Sequence, residues 1–267
     1  MNAAPKAERV PVLMYHRIGT ATNDWERKYC VSPAQFAAQM RQLHAKGYRA
    51  CAIDDFVRWL GGNGTLPQGA FVLTFDDGFL GVYEHARPVL VELGWPATVF
   101  LVSQLIGQRD LWTEGENRTG HTQPLLDRAH IEQMAREGFT FHSHTRRHAD
   151  LPTLGDERLA DELAGSRTDL ESLLDQPVPY LAYPYGRFDD RVRDAAIAAG
   201  YKAAFSVRPG FNRPGLDSHA VRRLDVWGTD TPAMLLRKMN LGTNDGTLGN
   251  AVRYAAVRVA ARLGLGG

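Results

Sequence analysis

Short, continuous apolar runs alternate along this chain with segments in which apolar residues recur at helical spacing. The runs predict buried strands, and the segments between them predict amphipathic helices. Strands that are apolar throughout and separated by helices are typical of a parallel sheet covered by helices. About seven strands are predicted, which suits a barrel-like sheet. The runs lie at 10–16, 70–75, 97–102, 139–141, 180–183, 203–206 and 220–226, and 50–53 is a further candidate.

Capping residues predict where several helices begin. Ser32 is a natural N-cap and Pro33 fits the first helical position, so a helix is predicted to follow them. Asp54 and Asp55 are expected to cap a short helix. The polar stretch 107–124 has no periodicity and predicts a surface loop. Further helices are predicted at 82–93, 129–136, 159–174 and 192–199.

Length and composition are those of one ordinary globular domain. The 267 residues are enough for a large α/β domain with a full hydrophobic core, and no internal linker divides them. Hydrophobic residues make up 44% and charged residues 23% of the chain, which is a common balance. The net charge of +1 gives no reason to expect nucleic acid as a partner.

The two cysteines, Cys30 and Cys51, are too few for a disulfide scaffold. Two buried thiols are expected, and a single bridge between them is the alternative. The first residues lack the apolar core of a secretory signal. No run approaches the roughly 18 apolar residues that a membrane span requires. A cytoplasmic protein without a transmembrane segment is therefore expected.

Asp76 and Asp77 end the apolar run 70–75, and Gly78 follows them. Two adjacent carboxylates at the end of a buried strand are costly to desolvate, so a cation or a basic neighbour is expected beside them. The glycine allows a sharp turn of the backbone. The alternative is helix capping, in which an aspartate accepts hydrogen bonds from free amides. Two adjacent aspartates favour the cation over the cap.

His144 and His148 are four residues apart. In a helical turn both rings would lie on one face and could bind a single ion. The spacing alone is a weak signal, and it gains weight from Asp77 at another predicted strand end. Two imidazoles and one carboxylate are a standard catalytic zinc set, which also suits iron, cobalt or nickel. The sequence therefore predicts a metal-dependent hydrolase.

Three motifs occur in an order that is typical of one enzyme family. They lie at 74–78 (TFDDG), 144–151 (HTRRHADL) and 183–186 (YPYG). Together they resemble the polysaccharide deacetylase (NodB-homology) domain of carbohydrate esterase family 4. Two further segments, 14–18 (MYHRI) and 31–36 (VSPAQF), resemble the branch that contains the biofilm poly-N-acetylglucosamine deacetylases.

This resemblance implies a fold, a reaction and a cofactor. The implied fold is α/β, a distorted (β/α)7 barrel, which agrees with the strand count. The implied reaction is hydrolytic removal of N-acetyl groups from a polysaccharide or glycan intermediate, with one divalent metal ion that is zinc by preference. By matching position, Asp76 is the general base, and Asp77, His144 and His148 hold the metal.

The mechanism implied by the resemblance uses a metal-bound water as the nucleophile. Asp76 takes a proton from this water, and the hydroxide attacks the acetyl carbonyl. The metal and the backbone amide of Tyr185 stabilise the oxyanion, and an acid then protonates the leaving amine. Tyr183, Pro184 and Tyr185 form one wall of the substrate groove.

Two positions depart from the family pattern. The family carries an arginine that orients the catalytic aspartate where this chain has Ala182. Arg222 or Arg223 could replace it, and Arg223 is favoured because a similar late arginine occurs in the biofilm branch. The late Leu-x-His segment that supplies the acid is missing, since no histidine follows His219. His16, at a predicted strand end, is the candidate, and a structural histidine bonded to backbone is the alternative.

Aromatic residues could add to the groove. Trp112 lies in the polar loop and is predicted to stack on sugar rings, whereas Trp25, Trp59 and Trp95 are expected in the core. The segment 225–227 is predicted to tune the missing acid or to line the groove, and an ordinary strand end is the alternative.

The resemblance covers roughly residues 10–230, so 231–267 are predicted to form a C-terminal helical extension. Within it, Arg253, Arg258 and Arg262 recur at near-helical spacing among apolar residues. A helix packed on the barrel is expected, and contact with a membrane surface or a partner is the alternative.

Two other functions stay open beside deacetylation of an acetylated carbohydrate. One is O-deacetylation, or hydrolysis of a small cyclic amide, on the same fold. It is compatible with the two departures from the family pattern, at Ala182 and at the missing late histidine. The other is a catalytically dead carbohydrate-binding protein. The intact set Asp76, Asp77, His144 and His148 argues against it, because a dead site has no reason to keep buried charges.

Overall fold

A curled parallel sheet forms the centre of the molecule. The computed structural model describes residues 6–114 and 120–254, and the strands within them are β1 (Val12–Tyr15), β2 (Arg17–Ile18), β3 (Cys30–Val31), β4 (Arg49–Ala50), β5 (Ala70–Phe75), β6 (Ala97–Leu101), β7 (Phe139–Ser143), β8 (Tyr180–Ala182), β9 (Ala203–Phe205) and β10 (Leu224–Asp225). Eight of them form one sheet in the order β10-β1-β5-β6-β7-β8-β9, with β4 beside the start of β5. Strands β2 and β3 pair separately.

The two edges of the main sheet are joined by the segment before β10. Val221 makes a parallel bridge to Phe205 of β9, and Leu224 of β10 pairs with Leu13 of β1. The predicted distorted (β/α)7 barrel is therefore confirmed. The last strand is shorter than the predicted run 220–226, because the chain crosses from β9 to β1 within that run.

Helices surround the sheet. They are α1 (Asp24–Tyr29), α2 (Pro33–Ala45), α3 (Ile53–Leu60), α4 (Arg87–Leu93), α5 (Arg128–Arg136), α6 (Asp156–Ala160), α7 (Ser166–Leu174), α8 (Asp190–Ala198) and α9 (Pro232–Leu241). A wider π-helical turn, Val82–Ala86, leads into α4, and a second one, Asp161–Gly165, joins α6 to α7. The predicted helices 82–93 and 159–174 are confirmed with these irregularities.

The predicted strand at 50–53 is wrong beyond its first residue, because α3 begins there instead. Ala52 is the N-cap of α3 and makes no side-chain capping bond. Asp54 and Asp55 lie in the first turn, where carboxylates interact favourably with the helix dipole. Asp54 also accepts a hydrogen bond from the hydroxyl of Tyr180, which ties α3 to the barrel.

Alternation along the strands places apolar side chains in a core inside the barrel and in clusters outside it, beneath the helices. Phe71 and Leu73 of β5 pack in the outer core beneath the helices, while Val72 packs in the inner core. Helix α3 adds Phe56 to the inner core, where its ring lies 6.4 Å from that of Phe205. Helix α3 therefore closes the end of the barrel where the strands begin. The opposite end, where the strands finish, is open and can hold an active site.

Helix α9 belongs to the outer core through Leu235 and Met239. Residues 248–254 are helical, and the rest of the predicted arginine-bearing tail lies outside the described residues. The domain boundary after residue 230 and a contact of the tail with a membrane or a partner stay predictions. Within 6–114 and 120–254, no helix is long and apolar enough to cross a bilayer.

The two cysteines are free thiols as predicted, but only one of them is fully buried. Cys30 is buried, Cys51 is half-buried, and both are free. Burial raises the pKa of Cys51 to about 12 and also raises the pKa of Cys30, so both stay protonated at neutral pH.

Candidate active site

Three side chains converge where β5 and β7 end. Asp77 Oδ1 lies 3.4 Å from His144 Nε2 and 3.4 Å from His148 Nε2. All three residues are buried, and Asp77 Oδ1 has no hydrogen-bond donor among the described residues. Ligand atoms of a tetrahedral zinc site lie about 3.3 Å apart, since each is about 2.0–2.1 Å from the ion. The separations therefore suit one divalent cation.

The hydrogen bonding of His144 supports the same conclusion. Its Nδ1 lies 2.8 Å from the carbonyl oxygen of Ala182, which can only accept, so Nδ1 carries a proton. In the neutral imidazole, the lone pair on Nε2 then lies toward the carboxylate of Asp77. Burial lowers the pKa of His148 to about 3, so that ring is neutral, whereas the charges of Asp76 and Asp77 outweigh burial and raise the pKa of His144 above its ordinary value. A cation stabilises such a set of lone pairs, and a backbone carbonyl behind a ligating ring is common at metal sites.

The loop that carries the two histidines is not a helix, so the helical reason for pairing them was wrong. Thr145 and His148 adopt left-handed backbone conformations, with φ of 68° and 61°. The carboxylate of Glu162 accepts hydrogen bonds at 2.9 Å from the two backbone amides that follow Thr145. An irregular loop held by a distant carboxylate therefore brings His144 and His148 to Asp77.

Asp76 forms a buried bidentate ion pair with Arg223. Its Oδ1 and Oδ2 accept hydrogen bonds from the guanidinium at 2.6 and 2.8 Å. Burial alone would raise the pKa of Asp76, but the charge and hydrogen bonds of Arg223 hold that pKa below its ordinary value. Of the two candidates for the arginine missing at Ala182, Arg223 lies in the site, and the Arg222 side chain is exposed.

Arg223→Ala is expected to lower the free energy of unfolding by about 3–5 kcal/mol, because it leaves the Asp76 carboxylate buried without its partner. Denaturant unfolding would measure the change. The matched control, Arg222→Ala, removes the same groups from an exposed neighbour and is expected to change stability by only about 0.5 kcal/mol. Equal losses at the two positions would contradict the importance of the ion pair.

His16 follows β1 and lines the same cavity as the metal-ligand candidates. A proton on His16 would lower the pKa of both Asp76 and Asp225. Asp225 accepts a hydrogen bond from Asn244 at 2.7 Å, and burial raises its pKa. His219 is not part of this cavity, because its ring bonds to a backbone carbonyl oxygen elsewhere.

Trp112 and Tyr185 both contact the imidazole ring of His148. The Trp112 ring stacks on His148 at 4.6 Å and 22°, and the Tyr185 ring meets it edge-on at 4.6 Å and 71°. Tyr183 also lines the cavity, but it is fully buried, and its hydroxyl donates to a backbone carbonyl at 3.1 Å. Pro184 is buried and is not among the residues that line the cavity.

Gly186 ends this segment in a left-handed conformation, with φ of 65°, and a Cβ there would lie 2.2 Å from Val207. Gly186→Ala is therefore expected to lower the free energy of unfolding by at least about 2 kcal/mol. Gly215→Ala is the control, since its φ is 84° and nothing lies within 4 Å of a Cβ, so it adds backbone strain of about 1 kcal/mol only. Thermal unfolding of both variants tests this, and equal costs would contradict it.

The cavity has a volume of about 330 Å³, and residues outside the predicted set also line it. Trp25 was expected in the core, which is wrong, because it is 36% exposed and borders the cavity. Trp59 and Trp95 are buried as predicted. Asp110, from the long polar loop, is buried at the cavity wall. Burial raises the pKa of Asp110 to about 6, and the charge of Asp77 adds to the effect.

The sequence is similar to those of known proteins. Residues 63–204, more than half of the chain, match the family model for polysaccharide deacetylases. The chain is 27% identical over 221 residues to the protein YxkH of Bacillus subtilis (strain 168), covering 83% of this chain and 72% of that one. It is 23% identical over 210 residues to the poly-β-1,6-N-acetyl-D-glucosamine N-deacetylase of Staphylococcus aureus, covering 74% and 68%.

The fold has a counterpart among solved structures. The Streptococcus pyogenes deacetylase PplD, solved in complex with acetate, aligns with a TM-score of 0.75 and 25% identity, covering 86% of this chain and 98% of that one. The match of the family model, the barrel and the order of the motifs agree. The chain therefore belongs to the polysaccharide deacetylase family, as a NodB-type member of carbohydrate esterase family 4, and is a hydrolase that acts on carbon–nitrogen bonds.

Proposed function

We propose that this protein removes N-acetyl groups from a glycan with the help of one divalent metal ion held by Asp77, His144 and His148. The observation that carries the proposal is the buried Asp77 oxygen, which meets two ring nitrogens at 3.4 Å and has no donor among the described residues. Zinc is the ion this ligand set favours, and cobalt, nickel or iron would also fit it. A bound cation supplies Lewis-acid chemistry, because it lowers the pKa of water and polarises a carbonyl oxygen.

Asp76 is the proposed general base for the attacking water. The guanidinium of Arg223 keeps the carboxylate ionised at neutral pH, so it is available to accept a proton. The two hydrogen bonds from Arg223 also fix its direction, which is the positioning that general-base catalysis requires. Arg223 is therefore a positioning residue in this proposal.

His16 is the proposed acid that protonates the leaving sugar amine. It lines the cavity close to Asp225, whose carboxylate would stabilise a protonated imidazole. The backbone amide of Tyr185 is proposed to donate a hydrogen bond to the tetrahedral oxyanion. In this proposal Asp76 accepts a proton from the attacking water, and His16 donates a proton to the leaving amine. The two residues follow different strands and line the same cavity.

His16→Ala is expected to lower kcat by about a hundredfold while leaving the metal content unchanged, because the acid contributes to amine departure and not to ion binding. Acetate release at saturating substrate and metal analysis would measure the two effects. His85→Ala, at a partly exposed histidine outside the cavity, is the matched control. Turnover equal to that of the unaltered protein would remove His16 from the mechanism.

An acetylated carbohydrate is the proposed substrate. The relative from Staphylococcus aureus is named for poly-β-1,6-N-acetyl-D-glucosamine. Aromatic rings such as Trp112 and Tyr185 at the cavity suit the apolar faces of pyranose rings. A panel of N-acetylated glycans, O-acetylated glycans and small cyclic amides separates the candidate reactions.

With zinc, cobalt or nickel added, acetate is expected from N-acetylglucosamine oligomers and not from the other two classes. Acetate from O-acetylated glycans alone, or hydrolysis of a cyclic amide alone, would replace the substrate assignment. A metal-loaded protein that binds the glycans and releases nothing would be a carbohydrate-binding protein without catalysis.

A further inference from the structure

One wall of the cavity carries an aromatic surface that the proposed reaction does not use. Trp25 and Tyr29 are four residues apart on helix α1, so their rings share one face, with centroids 5.7 Å apart. The Tyr29 ring lies 5.4 Å from that of His16, so the surface begins beside the proposed acid. Trp25 is 36% exposed and borders the same cavity. An open aromatic ring at the edge of a cavity is well suited to stacking on a sugar ring.

Helix α1 is held in place although it is too short to be stable alone. Buried Glu26 accepts hydrogen bonds from the Thr22 hydroxyl at 2.7 Å and from the Gln123 side-chain amide at 3.0 Å. It also pairs with Arg17 at 3.0 Å. These bonds tie the polar side of the helix to β2 and to the long loop, and they leave Trp25 at the cavity. A surface fixed before binding loses little entropy when a ligand arrives.

The cation beside this surface is Lys28. Its Nζ lies 4.9 Å from the centroid of Tyr29 and 5.9 Å from that of Trp227. Trp227 borders the cavity and is itself held by buried Lys238, whose Nζ lies 4.3 Å from the ring centroid. No carboxylate in the described ranges forms an ion pair with Lys28, whose side chain is exposed. Its ammonium can donate to sugar oxygens, and it repels a second ammonium group.

We propose that Trp25, Lys28, Tyr29 and Trp227 form a second sugar subsite, which takes an N-acetylated residue of the same glycan in preference to one with a free amine. The proposal rests on the glycan deacetylase function proposed above. Longer oligosaccharides are then better ligands than the monosaccharide. The glycan binds more weakly as its sugars lose their acetyl groups. Each lost acetyl group leaves a cationic amine, which the ammonium of Lys28 repels.

Calorimetric titration of the metal-free protein tests the subsite without relying on catalysis. The probes are N-acetylglucosamine, its tetramer, and the fully de-N-acetylated tetramer. Trp25→Ala is expected to lower the ratio of tetramer to monosaccharide affinity by about tenfold. Lys28→Glu is expected to raise the affinity for the amine tetramer, relative to the acetylated one, by about threefold.

Two control variants match these changes away from the cavity. Leu216→Ala shortens another exposed apolar side chain, and Lys46→Glu reverses another exposed charge, so both ratios are expected to stay constant. An unchanged length ratio in Trp25→Ala, or an unchanged amine preference in Lys28→Glu, would overturn the subsite. If the ratios change as expected while metal-loaded protein releases no acetate from any N-acetylated glycan, the proposed function fails and the subsite stands.

Discussion

Asp77→Ala is expected to release the bound metal ion and to lower kcat/KM for deacetylation by at least about a thousandfold. The carboxylate is the charged member of the ligand set, and its Oδ1 lies 3.4 Å from both imidazole nitrogens. Without it, two neutral rings would face the cation, which lowers the affinity of the site. Metal analysis of the purified variant and acetate release from an N-acetylglucosamine oligomer measure the two effects.

The control for Asp77→Ala is Asp156→Ala, which removes an exposed carboxylate at the start of α6. It is expected to keep both the metal and the rate. A variant at Asp77 that still holds one equivalent of metal and turns over normally would show that the ligand set is wrong.

Asp76→Asn is expected to keep the metal ion and to lower kcat by about 10²–10⁴-fold, because an amide cannot take the proton from the attacking water. Asparagine preserves the shape of the side chain, and one oxygen still accepts a hydrogen bond from Arg223. The pattern differs from that of Asp77→Ala, since only the latter loses the ion. A kcat near that of the unaltered protein would exclude Asp76 as the base, and loss of the metal would make it a ligand.

Sequence predicted best where one local signal decides the structure. The strand before Asp76 is buried throughout and is a continuous apolar run in the sequence. Asp76 and Asp77 follow its last residue, so they lie at its carboxyl end. The resemblance favours Arg223 over Arg222, and the structure shows the physical reason. Neighbouring residues of extended chain lie on opposite sides, so one arginine enters the barrel and the other is exposed.

Prediction failed where distant residues decide the local conformation. The spacing of His144 and His148 suggested a helical turn, but Glu162 holds their loop in an irregular form through backbone amides. Trp25 was expected in the core, since nothing local shows that Glu26 ties the short helix to Gln123. The four-residue spacing of Trp25 and Tyr29 was the one available signal of a shared face.

A zinc titration of metal-stripped protein tests the central claim most directly, with acetate release from an N-acetylglucosamine oligomer as the readout. The rate is predicted to rise from near zero in proportion to added zinc and to level off at one zinc per chain. Full deacetylation by protein without detectable metal, or a rate that does not respond to zinc, cobalt, nickel or iron, would contradict a metal-dependent deacetylase built on Asp77, His144 and His148.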